Sequence, residues 1–304
     1  MAHVSEIYTY PLKSGAAQKH AEIALTNRGL RDDRNWMLVW AEGEKALHHF
    51  TQREPGGEKL AQVHTHLIPS LQDVFTESAA HFISAHHLQV ANPNLDENRV
   101  ARTAFVHGNP VSVLDSGDDA ATWFSDLVGQ KVRLVRFDES RRRHLDNDHY
   151  GAMDTTALAD GGPVLVTSTS SFDALRPHFN NVAVKMGDFR PNIVIDGLDP
   201  WIEDWVRLVR IGNAASLELV KPCTRCSIPT INQITGERYP DDQPTRALVA
   251  QRRGKGGGLQ GVFFGQNAAV AHQGIIRVGD KVEIKIKPAP HPAVANAHLR
   301  YIPA

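Results

Sequence analysis

The chain has 304 residues, with 33 Lys+Arg against 34 Asp+Glu and a formal net charge of −1. At ~100 to 200 residues per domain, that length corresponds to about two domains. The balanced charge excludes a bulk polyanion binder, though not a local anion pocket. Two cysteines exclude a disulfide framework, a four-thiolate zinc site and an iron–sulfur cluster held by four thiolates of this chain.

Met1 to Pro11 carry Glu6 and alternating residues, with no basic region leading into an apolar one, so no signal peptide is readable. No uninterrupted apolar run reaches ~18 residues, and a soluble cytoplasmic protein that binds neither nucleic acid nor membrane is expected. Period-two apolar patterns predict short strands at Val4–Tyr10, Ala21–Leu25, Asn35–Trp40, Ala61–Ile68, His81–Ser84, Val100–Phe105 and Val111–Leu114. This first third reads as an antiparallel, barrel-like sheet.

A helix from Asp118, with Ser116 as its cap and Gly129 as its stop, leads to a strand at Lys131–Phe137. Asp138 to Gly162 has little periodicity and reads as a long mobile surface loop, with Arg141, Arg142 and Arg143 on its solvated face. Strands follow at Val164–Val166, Asn192–Ile195, Trp205–Ile211 and Ser216–Val220, with a short helix after the first, capped by Ser170 or Ser171. A helix at Thr245–Arg252 precedes the Gly254–Gly258 run, which lacks the order of a phosphate-binding loop and reads as a flexible loop over the site. Strands at Val262–Phe264, Ile275–Val278 and Val282–Ile286 close the pattern, the last two joined by a turn at Gly279-Asp280. Residues past Pro288 read as a tail.

Cys223-Thr224-Arg225-Cys226 admits four readings. A zinc site needs two further ligands, and no second CxxC or H-x3-5-H pair follows. A redox dithiol needs a helix N-terminus, whereas Ser227-Ile228-Pro229 onward is poor helix sequence. The remaining readings are a pair of packed thiols, or one thiolate held by Arg225 or Lys221 as ligand to a soft metal. The 16 histidines show no ligand spacing and read as surface or satisfied core residues.

The surroundings of this motif extend the signal. Phe189-Arg190-Pro191-Asn192, Pro200-Trp201 to Trp205, Ile211-Gly212, Lys221-Pro222-Cys223-Thr224-Arg225-Cys226, Thr235-Gly236, Phe264-Gly265-Gln266-Asn267 and Gly274-Ile275 to Asp280 resemble, in order, the MOSC domain. Tyr10-Pro11-Leu12-Lys13-Ser14, Gly29 to Trp36 and Thr51-Gln52-Arg53 resemble the MOSC N-terminal β-barrel domain, which accompanies MOSC in the mitochondrial amidoxime-reducing component and its bacterial relatives.

The resemblance implies a mainly β, α+β fold. A barrel-like domain would occupy 1–118, a β-barrel MOSC domain with a few short helices 119–288, and a tail 289–304. It implies a molybdenum cofactor (Mo-molybdopterin), with Cys226 as metal ligand and catalytic thiolate and Cys223 as a packed neighbour. Lys13, Ser14, Arg34, Ser168, Arg190, Asn192 and Arg225 would bind the cofactor, with Gln266 and Asn267 as weaker candidates. The implied activity is reduction of amidoximes, hydroxylamines or N-hydroxylated bases by a monomer. Its electrons would come from a separate donor of ferredoxin, flavodoxin or cytochrome type. A non-catalytic cofactor carrier or sulfur-handling protein is the alternative. Asn232 departs from the acidic residue common in relatives, which bears on substrate handling.

Overall fold

The structure, a computed structural model, describes residues 1–69, 77–84, 86–96, 98, 100–145, 149–151 and 154–297. Strands predominate, as the alternating patterns predict, and short helices fill the connections. The largest sheet runs in the order Gln18–His20, His3–Thr9, Ile193–Asp196, Val164–Ser168, Leu259–His272, Ala215–Thr224, Val206–Ile211 and Val282–Ile286. Its interior is the apolar face of those strands, with Val4, Ile7, Ile193, Val209 and Leu217 almost fully buried. The sheet therefore draws its first two strands from the N-terminal twenty residues and the rest from beyond residue 163.

A second sheet takes Ala101–Val106, Asn109–Asp115, Val132–Phe137, Trp36–Trp40 and His49–Phe50 in order. Its core is aromatic: Trp36 meets Phe82 edge-on at 5.6 Å, and Phe82 meets Phe124 at 5.4 Å. Phe124 belongs to the helix Asp118–Val128, so this helix and the strand after it pack with the first half although both lie past residue 118. Gly117 caps that helix without a side-chain bond, where Ser116 was expected. Gly129 ends it in the left-handed conformation at φ 67°, as glycine after a helix commonly does.

Several expectations change at the level of packing. The first part of Ala61–Ile68 is not strand: a 3-10 turn at Gly57–Gln62 precedes the strand His64–Pro69. Arg141 and Arg142 are solvated, but Arg143 is buried because its guanidinium donates to the carbonyls of Ala157 and Ala159, both at 2.8 Å. Leu158 is fully buried beside them, so this part of Asp138–Gly162 is wall rather than surface loop; 146–148 and 152–153 lie outside the described residues.

The glycine run is half of a hairpin, with Arg253–Gly256 paired to Leu259–His272. A Cβ on Gly254 would stand 1.8 Å from the Ala293 carbonyl oxygen, so glycine there serves close packing. Ala293 belongs to the helix Pro292–Ala295, which packs on Phe263 where a tail was expected; 298–304 lie outside the described residues. The strands flanking Gly279-Asp280 turn there but pair elsewhere, with Glu22–Thr26 and Val206–Ile211. Among the described residues no helix is long and apolar enough to cross a membrane.

Candidate functional site

One cleft of about 340 Å³ opens between the two halves, lined by Lys13, Ser14 and Arg34 from the first and by Arg190, Asn192, Arg225 and Cys226 from the second. Seven of the eight expected site residues thus converge. The eighth, Ser168, does not line it: Ser168 is fully buried, caps the helix Thr169–Leu175 by accepting from Ser171 N, and donates to Glu203 Oε2 at 3.2 Å. It takes the capping role expected of Ser170 or Ser171. Gln266 is likewise buried on Asp204, whereas Asn267 does line the cleft.

The cationic wall is built on backbone that non-glycine residues rarely adopt. Ser14, Arg34 and Arg190 have φ of 68°, 50° and 55°, each costing roughly 1 kcal/mol or more and persisting because surrounding contacts over-determine it. Those contacts are visible. Arg34 donates to Asp33 and, at 2.9 Å, to Asn192 Oδ1, while Asn192 Nδ2 donates to Tyr8 O and Asp33 Oδ2 at 3.1 and 3.0 Å. Asn192 Oδ1 also accepts from Leu165 N at 3.0 Å, so the amide is saturated and acts as the rivet that aims Arg34.

Arg190 donates to Gly15 O at 2.7 Å and Gln233 Oε1 at 2.9 Å, and its guanidinium lies 4.1 Å from the centre of the Tyr10 ring. Burial pushes Arg190 down to about 10. For Arg34, burial works the other way from Asp33, and the carboxylate keeps the guanidinium above its usual value.

Lys13 is 5% exposed and donates to Leu158 O at 2.8 Å and to Asp160. Burial lowers its pKa against the pull of Asp160. Desolvation at the cleft wall works to raise the Asp160 carboxyl, whose side chain is 45% exposed, but Lys13 and His107 hold it well below the usual carboxylate range. Beside it burial, with Lys13 second, pushes His49 down to about 4.

In the second half Ala215–Thr224 ends in Cys223 and Thr224, and Cys226 follows exposed in the same cleft. Cys223 is not a packed thiol: it is half-buried, lines the cleft, and its Sγ accepts from Arg225 Nη1 at 3.1 Å. Arg225 Nη2 donates to Phe189 O at 2.7 Å, and its buried Nε has no partner among the described residues. Among the described residues no group of three or more His, Cys, Asp or Glu side chains could hold a metal, which leaves the zinc reading without ligands. In total Lys13, Arg34, Arg190, Lys221 and Arg225 face the cleft against one carboxylate, Asp160. Such a lining favours an anion, and the exposed thiol suits a soft metal.

Sequence reasoning missed Asp160 and His107. Both were legible as backbone signals: His107-Gly108 marks a hairpin tip between alternating strands, and Asp160-Gly161-Gly162-Pro163 breaks the chain before a buried strand.

Residues 1–131 match the family profile of the MOSC N-terminal beta barrel domain and residues 153–283 that of the MOSC domain. The mouse protein named mitochondrial amidoxime-reducing component 1 is 31% identical over 92% of this chain and 81% of its own length. The chain belongs to the MOSC family. Other relatives of this MOSC protein include the human mitochondrial amidoxime-reducing component 1, 30% identical over 92% of this chain and 82% of its own length. A rice molybdenum cofactor sulfurase is 27% identical over 92% of this chain, which spans 35% of that longer protein.

Proposed function

We propose that this MOSC protein is a molybdenum-cofactor-dependent reductase of N-hydroxylated compounds, amidoximes, hydroxylamines or N-hydroxylated bases, supplied with electrons by a separate donor protein. The observation that carries this reading is the exposed Cys226 thiol in the same cleft as five cations drawn from both halves. Over the same 92% of this chain, identity is 31% and 30% to the amidoxime-reducing components and 27% to the rice sulfurase, which supports the reductase branch.

The residues present fit the cofactor. A phosphate-bearing pterin needs cations, and the partnerless Arg225 Nε is one buried donor with capacity to spare. Lys13, Ser14 and Arg34 would hold the phosphate, Arg190 and Arg225 the pterin edge, and Cys226 would give the metal a protein thiolate. Asn192 acts at one remove, by aiming Arg34. When bound, the cofactor supplies a metal centre that exchanges two electrons and an oxygen atom. The chain's part is to neutralise the anion, present the Cys226 sulfur in the cleft, and orient the substrate.

Metal analysis and pterin fluorescence of protein from a cofactor-competent host test the reading, together with benzamidoxime reduction by wild type and Cys226→Ala using a chemical electron donor. Molybdopterin and an activity lost in the variant are expected. One equivalent of zinc without molybdopterin refutes the cofactor; bound cofactor with no activity in either protein makes it a carrier.

A further inference from the structure

The hairpin joining Ala101–Val106 to Asn109–Asp115 turns on His107 and Gly108, with φ of 50° and 80°. Two successive residues with positive φ make the tight turn that matches strand twist, and glycine or asparagine normally takes both places. Here a histidine bears the conformation, and the turn brings its ring to the wall of the cleft. His107 Nε2 lies 3.2 Å from Asp160 Oδ1, the same oxygen that receives the Lys13 ammonium. Its side chain is 40% exposed, so the ring meets both the cleft wall and bulk water.

We propose that His107, oriented by Asp160, is the residue that delivers protons to the substrate in this cleft. The inference rests on the reductase reading and adds a residue to it. The balance of that reaction is R–C(NH2)=N–OH + 2 e− + 2 H+ → R–C(NH2)=NH + H2O. The N–O bond breaks, the electrons come from the separate protein donor, and the oxygen leaves as water carrying one delivered proton. The other proton goes to nitrogen. Guanidinium groups such as those of Arg34, Arg190 and Arg225 do not hand over protons near neutral pH, Lys13 is tied to Leu158 O and Asp160, and the Lys221 ammonium lies 5.1 Å over the Tyr150 ring. An imidazole exchanges protons readily in that range and, half open to water, reloads from solvent.

The groups that face His107 suit this task. Asp160 stands beside it on the cleft side, with Oδ1 3.2 Å from Nε2 and Lys13 on the same oxygen. From the neighbouring strand the His49 ring packs at 4.5 Å, with Arg53 Nη2 3.3 Å from the His49 Nε2. His49 stays neutral down to about pH 4, so the two rings do not repel.

Holoenzyme kinetics with benzamidoxime and a chemical electron donor provide the test. His107→Ala is expected to lower kcat/KM by ~100-fold or more, within the range for a lost general acid, at unchanged molybdopterin content, with partial recovery on adding free imidazole. His107→Gln, which keeps a donor for Asp160 but transfers no proton, is expected to be as slow as the alanine variant. A glutamine variant at wild-type rate, or an alanine variant that imidazole does not rescue, overturns the proposal.

A second measurement needs no reaction: ¹⁵N NMR of the cofactor-free protein is expected to find the neutral His107 ring carrying its proton on Nε2, a preference lost in Asp160→Ala. A proton on Nδ1 in the wild type overturns the inference by itself. Wild type that holds molybdopterin but reduces no N-hydroxylated compound refutes the reductase reading instead, and removes proton delivery with it.

Discussion

Beneath the large sheet, Glu203 and Asp204 are 2% and 1% exposed, and the Arg252 guanidinium bonds Asp204 at 2.5 Å. Glu203 has the hydroxyls of Ser171 and Ser168 on Oε2 at 2.9 and 3.2 Å, while its Oε1 is buried without a partner. Burial first, and the neighbouring Asp204 charge second, push Glu203 from 4.5 up to about 7. Between those two values the folded protein holds a proton that the unfolded chain has released. The contribution of this carboxyl to stability is therefore greatest below about 4.5, declines as pH rises to about 7, and is level above it. At ~1.4 kcal/mol per pH unit, the loss is on the order of 3 kcal/mol.

Glu203→Gln keeps the shape and removes the ionisation. Urea unfolding followed by tryptophan fluorescence at pH 5 and pH 8 is expected to find the variant within about 1 kcal/mol of wild type at pH 5. At pH 8 it should be more stable by roughly 2 to 3 kcal/mol. Taking the difference between the two proteins cancels every other titrating group. A gap of the same size at both pH values would show that the buried carboxyl is ionised throughout, and the reasoning would be refuted.

Asn192→Ala should cost roughly 2 to 4 kcal/mol in denaturant unfolding, because Leu165 N and one Arg34 bond are left unpaired in the interior; a loss under 1 kcal/mol would mean that the rivet is replaceable. Gly254→Ala should lower stability by about 2 kcal/mol or more, since its Cβ meets the Ala293 carbonyl. Limited proteolysis should then cut near residue 290 sooner than in wild type. Cys226→Ala, at an exposed position, should shift Tm by less than about 1 °C while lowering the molybdenum content of protein purified from a cofactor-competent host.

Much of this was legible where a local rule acts on consecutive residues. Alternation marked the strands, and Gly129 marked the end of its helix, because those signals are written within a few positions. The pairing partners were not. Nothing local says that Gly274–Arg277 joins Glu22–Thr26 rather than its neighbour across the turn, since that choice is made by burial of Ile23 and Ile276 against a distant core. Arg143 was misread for a related reason: three arginines in a row look solvated until carbonyls more than ten residues away face the third.

The site divides in the same way. Cys226, Lys13, Arg34 and Arg190 carry chemistry in their side chains and stand in family motifs. Asp160 and His107 matter by where their backbone puts them. Ser168 was expected at the cofactor and caps a helix instead, because a serine before a helix serves either purpose equally well in sequence.

The strand His3–Thr9 lies between Gln18–His20 and Ile193–Asp196, and Tyr10 next to it donates its hydroxyl proton to Pro191 O at 3.0 Å. During synthesis at ~5 to 20 residues per second, the N-terminal strand emerges on the order of 10 to 40 s before its main partner. Over that interval it waits with one ladder unmade, and contacts of such long sequence separation close slowly once they are possible. The cleft whose walls depend on this pairing is therefore a late product of folding, and loading it with a ligand belongs after translation. A chain split at residue 118 would strand the first β-strand away from the sheet it completes.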